Sequence, residues 1–211
     1  MRRFALGRSN AYERLARLAQ LGLVVHRRDP LGRCGLYSAS RRGLRASGQS
    51  GLGLQRLRLA QDAHTRALTQ VLVELELALR GWDVLGEREL RWLERDTRTL
   101  IGSARLGAIG EQAVIHRPDA VLLSPAGRAV SVELELTPKS HRRLAAICRG
   151  YARARHLHAV YYLATPAAAR ALARAVVETR AQERIVVLGA DGVQELLARE
   201  LEEVSVRRNT A

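Results

Sequence analysis

The sequence predicts an α/β protein with a mixed central sheet, preceded by a small basic helix–hairpin module. Three observations carry that prediction. Strand-patterned runs (DVLGEREL, DAVLLS, AVSVELEL, HAVYYLAT, RIVVLG) stand among helix-patterned segments after about residue 56. A small, polar, Gly-rich stretch, ASGQSGLGLQ at 46–55, separates that region from the start. The net charge of +14 is concentrated in residues 1–60, where thirteen arginines face only Glu13 and Asp29 as acids.

A chain of 211 residues holds a small module joined to a medium domain, and 47% hydrophobic residues suffice for a real core. No uncharged apolar run reaches about 18 residues, so no membrane span or membrane partner is expected. The start, MRRFALGRSN, lacks the apolar run of a signal peptide. Cys34 and Cys148 are isolated thiols, which suits a reducing cytoplasm. The six histidines form no Cys/His cluster, which argues against structural zinc. A locally concentrated basic excess selects a polyanion, and nucleic acid is the usual one. A genome-wide arginine bias would explain arginine over lysine, but not the near lack of acids in one segment.

Taken in order, residues 1–48 read as helix and hairpin. Asn10 and Glu13 suggest a capping box, Ala11, Leu15, Leu18 and Leu21/Leu23 recur at helical spacing, and Gly22 ends the helix. VVHRR, the turn DPLGRCG and LYSAS then read as two strands and their loop. Residues 49–55 are assigned as linker and 56–211 as the second domain. A helix over 56–80 carries the stripe Leu57, Ala60, Ala67, Leu68, Val71, Leu75 and Ala78, and Gly81 stops it. Three strands follow, then a helix over 138–154, the strand HAVYYLAT with Tyr161 and Tyr162 on opposite faces, a helix over 166–182, the strand RIVVLG, and a tail helix from Asp191.

Helix, strand, basic loop, strand is the back half of a winged helix-turn-helix, and AYERLARLAQLGLVVHRRDPLGRCGLYSASRRGLRASG resembles winged-helix segments over residues 4 to 48. The resemblance implies that Asn10, Tyr12, Arg14 and Arg17 lie on the helix entering the major groove of double-stranded DNA. Arg27, Arg28 and Arg33 would approach phosphates from the wing. Such domains usually have two helices before the recognition helix, where this chain has about eight residues. The start is then incomplete or a partner supplies the support. The competing reading is a solvated dimerisation element.

The chemistry-bearing pattern is SVELELTPKS at 131–140, which contains the chain's one lysine. On a strand, Ser131, Glu133 and Glu135 share one face while Val130, Val132, Leu134 and Leu136 share the other. Flanking apolar segments should cover both faces in part. Two partly buried carboxylates repel unless a cation neutralises them, and Mg²⁺ or Mn²⁺ suits oxygen ligands. Asp119 opens the preceding strand, and the turn SPAGR folds that strand back. Hairpin pairing is expected to set Asp119 beside Glu135, with Glu133 one alternate position along. The plainer reading is a strand-entry aspartate and a solvated acidic face.

PD at 118–119, a hairpin and an acidic strand leading into a helix resemble the PD-(D/E)XK nuclease superfamily, with its restriction-endonuclease-like core of helix, three strands, helix and strand. A winged helix followed by RPDAVLL and VELELTPKS is more narrowly similar to the replication-relaxation family, associated with plasmids. The resemblance implies metal ligation by Asp119, Glu133 and Glu135, with Lys139 and Tyr151 completing the catalytic group. The pattern would place lysine at 135, where this chain has glutamate. Lys139 is expected in the first turn of the next helix, sharing a face with Arg143, Ile147 and Tyr151. Glu74 or Glu76 is a further ligand candidate, although a solvated helix face is the simpler reading. His64 reads as packed or surface, and His116 and Arg117 as phosphate contacts at best.

The implied activity is divalent-metal-dependent cleavage or nicking of double-stranded DNA. The alternatives are a non-catalytic DNA-binding factor in plasmid replication or mobilisation on a degenerate nuclease fold, and a nuclease-like toxin or defence component. Winged-helix and restriction-type proteins often dimerise, so a homodimer stays open.

Overall fold

A computed structural model describes residues 4–28, 35–55 and 61–209, with 203–209 as backbone only. Arg33, Cys34, Leu57 and Ala60, and most of the expected DPLGRCG turn, lie outside the described residues. The chain divides into two compact units, Met1–Asp62 and Ala63–Ala211.

The first unit contains α1 (Arg8–Gln20), an antiparallel hairpin of β1 (Val24–Arg27) and β2 (Leu36–Ala39), and the short α2 (Arg41–Ala46). α1 begins earlier than expected. Gly7 occupies its N-cap position with no side-chain cap, so Asn10 lies inside the first turn and the Asn10–Glu13 capping box does not form. Gly22 follows the helix at φ 66°, a left-handed conformation that glycine adopts without steric cost. α2 is capped by Ser40, whose Oγ accepts from Gly43 N at 3.0 Å. The hairpin is pinned by His26 and Tyr37, paired across the strands and stacked at 4.2 Å.

The second unit is a three-layer α/β/α arrangement. Its sheet has the order β3-β6-β7-β8-β9, formed by β3 (Asp83–Gly86), β6 (Ala120–Leu123), β7 (Ala129–Glu135), β8 (Leu157–Ala164) and β9 (Ile185–Gly189). The β3–β6 and β6–β7 pairs are antiparallel; β7–β8 and β8–β9 are parallel. The parallel steps need crossovers, supplied by α5 (His141–Arg153) and α6 (Pro166–Glu178). Those helices bury Leu144, Ile147, Tyr151, Leu172 and Val176 against one face, with Val160 and Tyr162. On the other face α3 (Asp62–Ala78) and α7 (Val193–Asn209) bury Val71, Leu75, Leu196 and Leu197 against Val130, Val132, Leu134, Tyr161 and Leu163. Tyr161 and Tyr162 thus point to opposite faces, as the alternation of a strand requires.

Three expectations are corrected. DVLGEREL is not one strand: β3 stops at Gly86 and α4 (Glu87–Thr97) begins. The Glu89 carboxylate reaches back to accept from Gly86 N at 2.8 Å, and this cap overrides the strand-like alternation. A two-stranded ribbon, β4 (Ala104–Ile109) with β5 (Gln112–His116), stands between α4 and β6, turning at Gly110 with φ 58°. On α3, Ala78 is exposed and Leu79 takes its place in the core. Among the described residues no helix is long and apolar enough to cross a membrane.

Candidate functional site

The whole of β7 is buried, including Ser131, Glu133 and Glu135. Burial on both faces follows from its position as the central strand, with β6 on one side and β8 on the other. The β6–β7 register pairs Leu123 with Ala129 and Ala120 with Val132. One step further, Asp119 lies across from Glu133. The hairpin therefore brings Asp119 to Glu133 and Leu134, not to Glu135 as expected, because the SPAGR turn closes the pair two residues tighter. The Asp119 Oδ2 accepts a hydrogen bond from Leu134 N at 2.8 Å.

Each acid has its own partner. Glu133, 5% exposed, accepts a hydrogen bond from the Tyr151 hydroxyl at 2.6 Å and lies 2.5 Å from His116 Nε2, both at Oε1. Glu135, 4% exposed, is paired with the Lys139 ammonium. Asp119 faces His64 Nε2 at 3.3 Å, and the same nitrogen lies 3.1 Å from the Leu134 carbonyl oxygen. Three carboxylates at the ends of two paired strands are thus held by two histidines, a tyrosine and a lysine from four further segments.

Burial against apolar neighbours would destabilise these charges, and the partners supply the compensation. The Asp119 hydrogen bond raises the His64 pKa above its ordinary value, against the opposing effect of burial. Burial lowers the Lys139 pKa, while the Glu133 and Asp119 carboxylates pull it back up. Burial first, and the Glu133 charge second, push the Tyr151 phenol well above its usual range, so it remains a hydrogen-bond donor.

Lys139 precedes α5 instead of lying in its first turn, because Ser140 is the N-cap residue. The expected helical face of Lys139, Arg143, Ile147 and Tyr151 is accordingly not formed. Arg143 is exposed while Ile147 and Tyr151 are buried. Lys139 still reaches the acidic strand because the short 136–140 turn carries it back over Glu135. In the first unit, Asn10, Arg14 and Arg17 share one exposed face of α1 at i, i+4 and i+7. Tyr12 projects from a different side, with the Arg8 guanidinium 5.8 Å from its ring. Arg28 is exposed, and Arg27 is ion-paired with Asp62, the last residue of that unit.

The expectation of a packed or surface His64 did not extend to its contact with Asp119, and that of a phosphate contact for His116 did not include its bond to Glu133. His64 continues the buried stripe Ala67, Leu68, Val71 and Leu75 backwards at helical spacing, and that was its signal. Arg117 turns towards Glu94, its Nε 3.6 Å from Oε2. Glu74 bonds to Gln70 at 3.1 Å along its own helix.

Asp119 and Glu133 are hard oxygen donors of the kind that hold Mg²⁺ or Mn²⁺. Among the described residues, however, no group of three or more His, Cys, Asp and Glu side chains is arranged to hold a metal ion. The reason is visible in the contacts: Glu135 turns to Lys139, and Glu133 turns to Tyr151 and His116. The donor chemistry of Asp119 and Glu133 fits a divalent cation. Comparison with protein-family models, characterised proteins and solved structures gives no match to this chain.

Proposed function

We propose that this chain is a DNA-binding protein whose second unit is a divalent-metal-dependent nuclease of the PD-(D/E)XK kind, acting on double-stranded DNA, with a resemblance to the replication-relaxation family. The observation that carries the reading is the opposition of Asp119 and Glu133 across the β6–β7 pair, with Lys139 on the adjoining turn. It is supported by the exposed basic face of Asn10, Arg14 and Arg17 in the first unit. Asp119 and Glu133 would hold the cation, which supplies an activated water and offsets charge on the phosphate. Glu135 restrains Lys139, whose ammonium would add positive charge near the scissile phosphate. Tyr151 and His116 fix the rotamer of Glu133, and His64 fixes that of Asp119.

The test is conversion of supercoiled plasmid in Mg²⁺ or Mn²⁺. The expected result is nicking or linearisation by the wild type and a loss of about a hundredfold or more in Asp119→Asn and Glu133→Gln. Equal nicking by wild type and variants would overturn the reading. A second reading, a DNA-binding factor on a degenerate nuclease fold, draws on the engagement of Lys139 by Glu135 and on Glu135 standing where the superfamily has lysine. Calorimetric titration of Mn²⁺ separates the two: the second predicts no uptake that depends on Asp119.

A further inference from the structure

The two helical layers of the second unit differ in charge. α5 and α6 carry Arg142, Arg143, Arg149, Arg153, Arg170 and Arg174, with Glu178 as their one acid. In the opposite layer, α3 from Ala63 on and α7 up to Glu202 carry Glu74, Glu76, Glu195, Glu200 and Glu202 against Arg66 and Arg199. An arginine bias acting on the whole chain would not sort charge by layer.

Helical geometry explains why those arginines face outward. The apolar residues Leu144, Ile147, Cys148 and Tyr151 take the inner face of α5, and Ala168, Leu172, Ala175 and Val176 take that of α6. All six arginines are exposed. Arg142, Arg149 and Arg153 form one stripe at i, i+7 and i+11, about 16 Å long. Arg170 and Arg174 form a second at i, i+4 on the adjacent helix. Among the described residues, Arg142, Arg149, Arg170 and Arg174 have no ion-pair partner. Arg153 meets only the backbone carbonyls of Arg105 and Leu106, at 3.4 and 3.5 Å. Glu178 is engaged by His141 at 2.8 Å.

We infer that the outer face of α5 and α6 is a second docking surface, for the phosphates of duplex DNA, contacted without regard to base sequence. A duplex presents one charge per about 1.7 Å of its axis, so two arginine rows of this length meet many phosphates at once, and guanidinium forks match phosphate geometry. A bilayer fits less well, since Val177 is the one large apolar side chain strongly exposed on this layer. The surface is distinct from the basic face of α1 and does not depend on cleavage at Asp119 and Glu133. Its position does bear on that site: the helix that offers Arg142 and Arg149 outward offers Tyr151 inward to Glu133.

The experiment is anisotropy titration of the full chain against a labelled random-sequence duplex across a KCl series. Arg142→Gln/Arg149→Gln, Arg170→Gln/Arg174→Gln and their combination are compared with the wild type. The expected result is an affinity loss of about tenfold or more in the combined variant at physiological salt. The slope of log K against log salt should fall by about 0.9 for each phosphate contact removed. Arg199→Gln, on the opposite layer, should leave both unchanged. The titration is run in EDTA, where no metal-dependent cleavage occurs, so failure of the nuclease reading is scored separately. Unchanged affinity and slope in variants that melt normally would overturn the inference. So would loss of binding to phosphatidylserine vesicles with DNA binding intact, which would assign the surface to an anionic membrane.

Discussion

The Tyr151 hydroxyl on α5 donates a 2.6 Å hydrogen bond to Oε1 of Glu133 on β7, and both side chains are almost wholly buried. The contact joins a crossover helix to the central strand and sets the direction of the carboxylate that lies across from Asp119 and meets His116. A hydrogen bond to a buried charge is worth more than one between neutral groups, because its loss leaves the charge short of a donor. Tyr151→Phe keeps the ring and removes the donor. It is expected to cost about 2 kcal/mol in urea denaturation, less than full loss of the acid's partners because His116 remains. Unchanged stability would show that the hydroxyl does not anchor Glu133.

His64 gives a pH signature. Its pKa is raised above the ordinary 6.5, chiefly by the hydrogen bond to Asp119. A raised value means the folded state holds the proton more tightly than the unfolded one. The stabilisation is therefore fully present below the unfolded value and fades as pH rises through the folded one. The stability gap between wild type and His64→Gln, measured in EDTA, should be widest near pH ~5.5 and narrow towards pH ~8. A gap that widens with pH would contradict the pairing with Asp119.

Lys139 and Glu135 form a pair in which the acid is 4% exposed. Lys139→Met leaves that acid buried without its cation and should cost about 1 to 3 kcal/mol. Glu135→Gln combined with Lys139→Met should recover most of the loss, since it removes the orphaned charge. Lys139→Arg tests shape instead of charge: a guanidinium keeps the ion pair but not a compact ammonium. If the lysine serves phosphate chemistry, Lys139→Arg should keep near-wild-type stability and lose about tenfold or more in nicking rate. Retained nicking would reduce the lone lysine to an accident of composition.

How far the sequence could be read depended on the length scale of each interaction. The alternation of Val130, Val132 and Leu134 with Ser131, Glu133 and Glu135 is a property of one strand, and it gave the two faces of β7 correctly. The crossover helices and parallel strands followed from equally local periodicity. The partner of Asp119 depended on a two-strand register, and a shift of two residues moved it from Glu135 to Glu133. α4 was lost because its start is set by a bond from Gly86 N to the Glu89 carboxylate, inside a stretch that also alternates like a strand. His64 and His116 act across 55 and 17 residues, to Asp119 and Glu133. No periodicity within one element specifies such pairings, although the α3 stripe did point His64 inward.

Glu94 is the buried acid that the site depends on at one remove. Its Oε1 accepts from Ile101, Gly102 and Ser103 backbone amides at 3.0, 3.2 and 3.0 Å, and its Oε2 accepts from Ser103 Oγ at 2.7 Å. Four donors compensate the burial of one carboxylate and fix the 101–103 turn. Gly102 then accepts from Ser131 Oγ at 2.8 Å, and Ser131 lies on the same face of β7 as Glu133. Gly102 has no room for a side chain, since a Cβ there would run into Val121 on β6. Glu94→Gln replaces one acceptor oxygen by an NH₂ aimed at existing donors and removes the charge. It should cost about 2 to 3 kcal/mol in chemical denaturation. The amides of Ile101, Gly102 and Ser103 should also exchange faster than those of β8, because the turn opens locally before the sheet does. If stability falls while those three amides keep their protection, Glu94 acts through α4 packing and not through the turn.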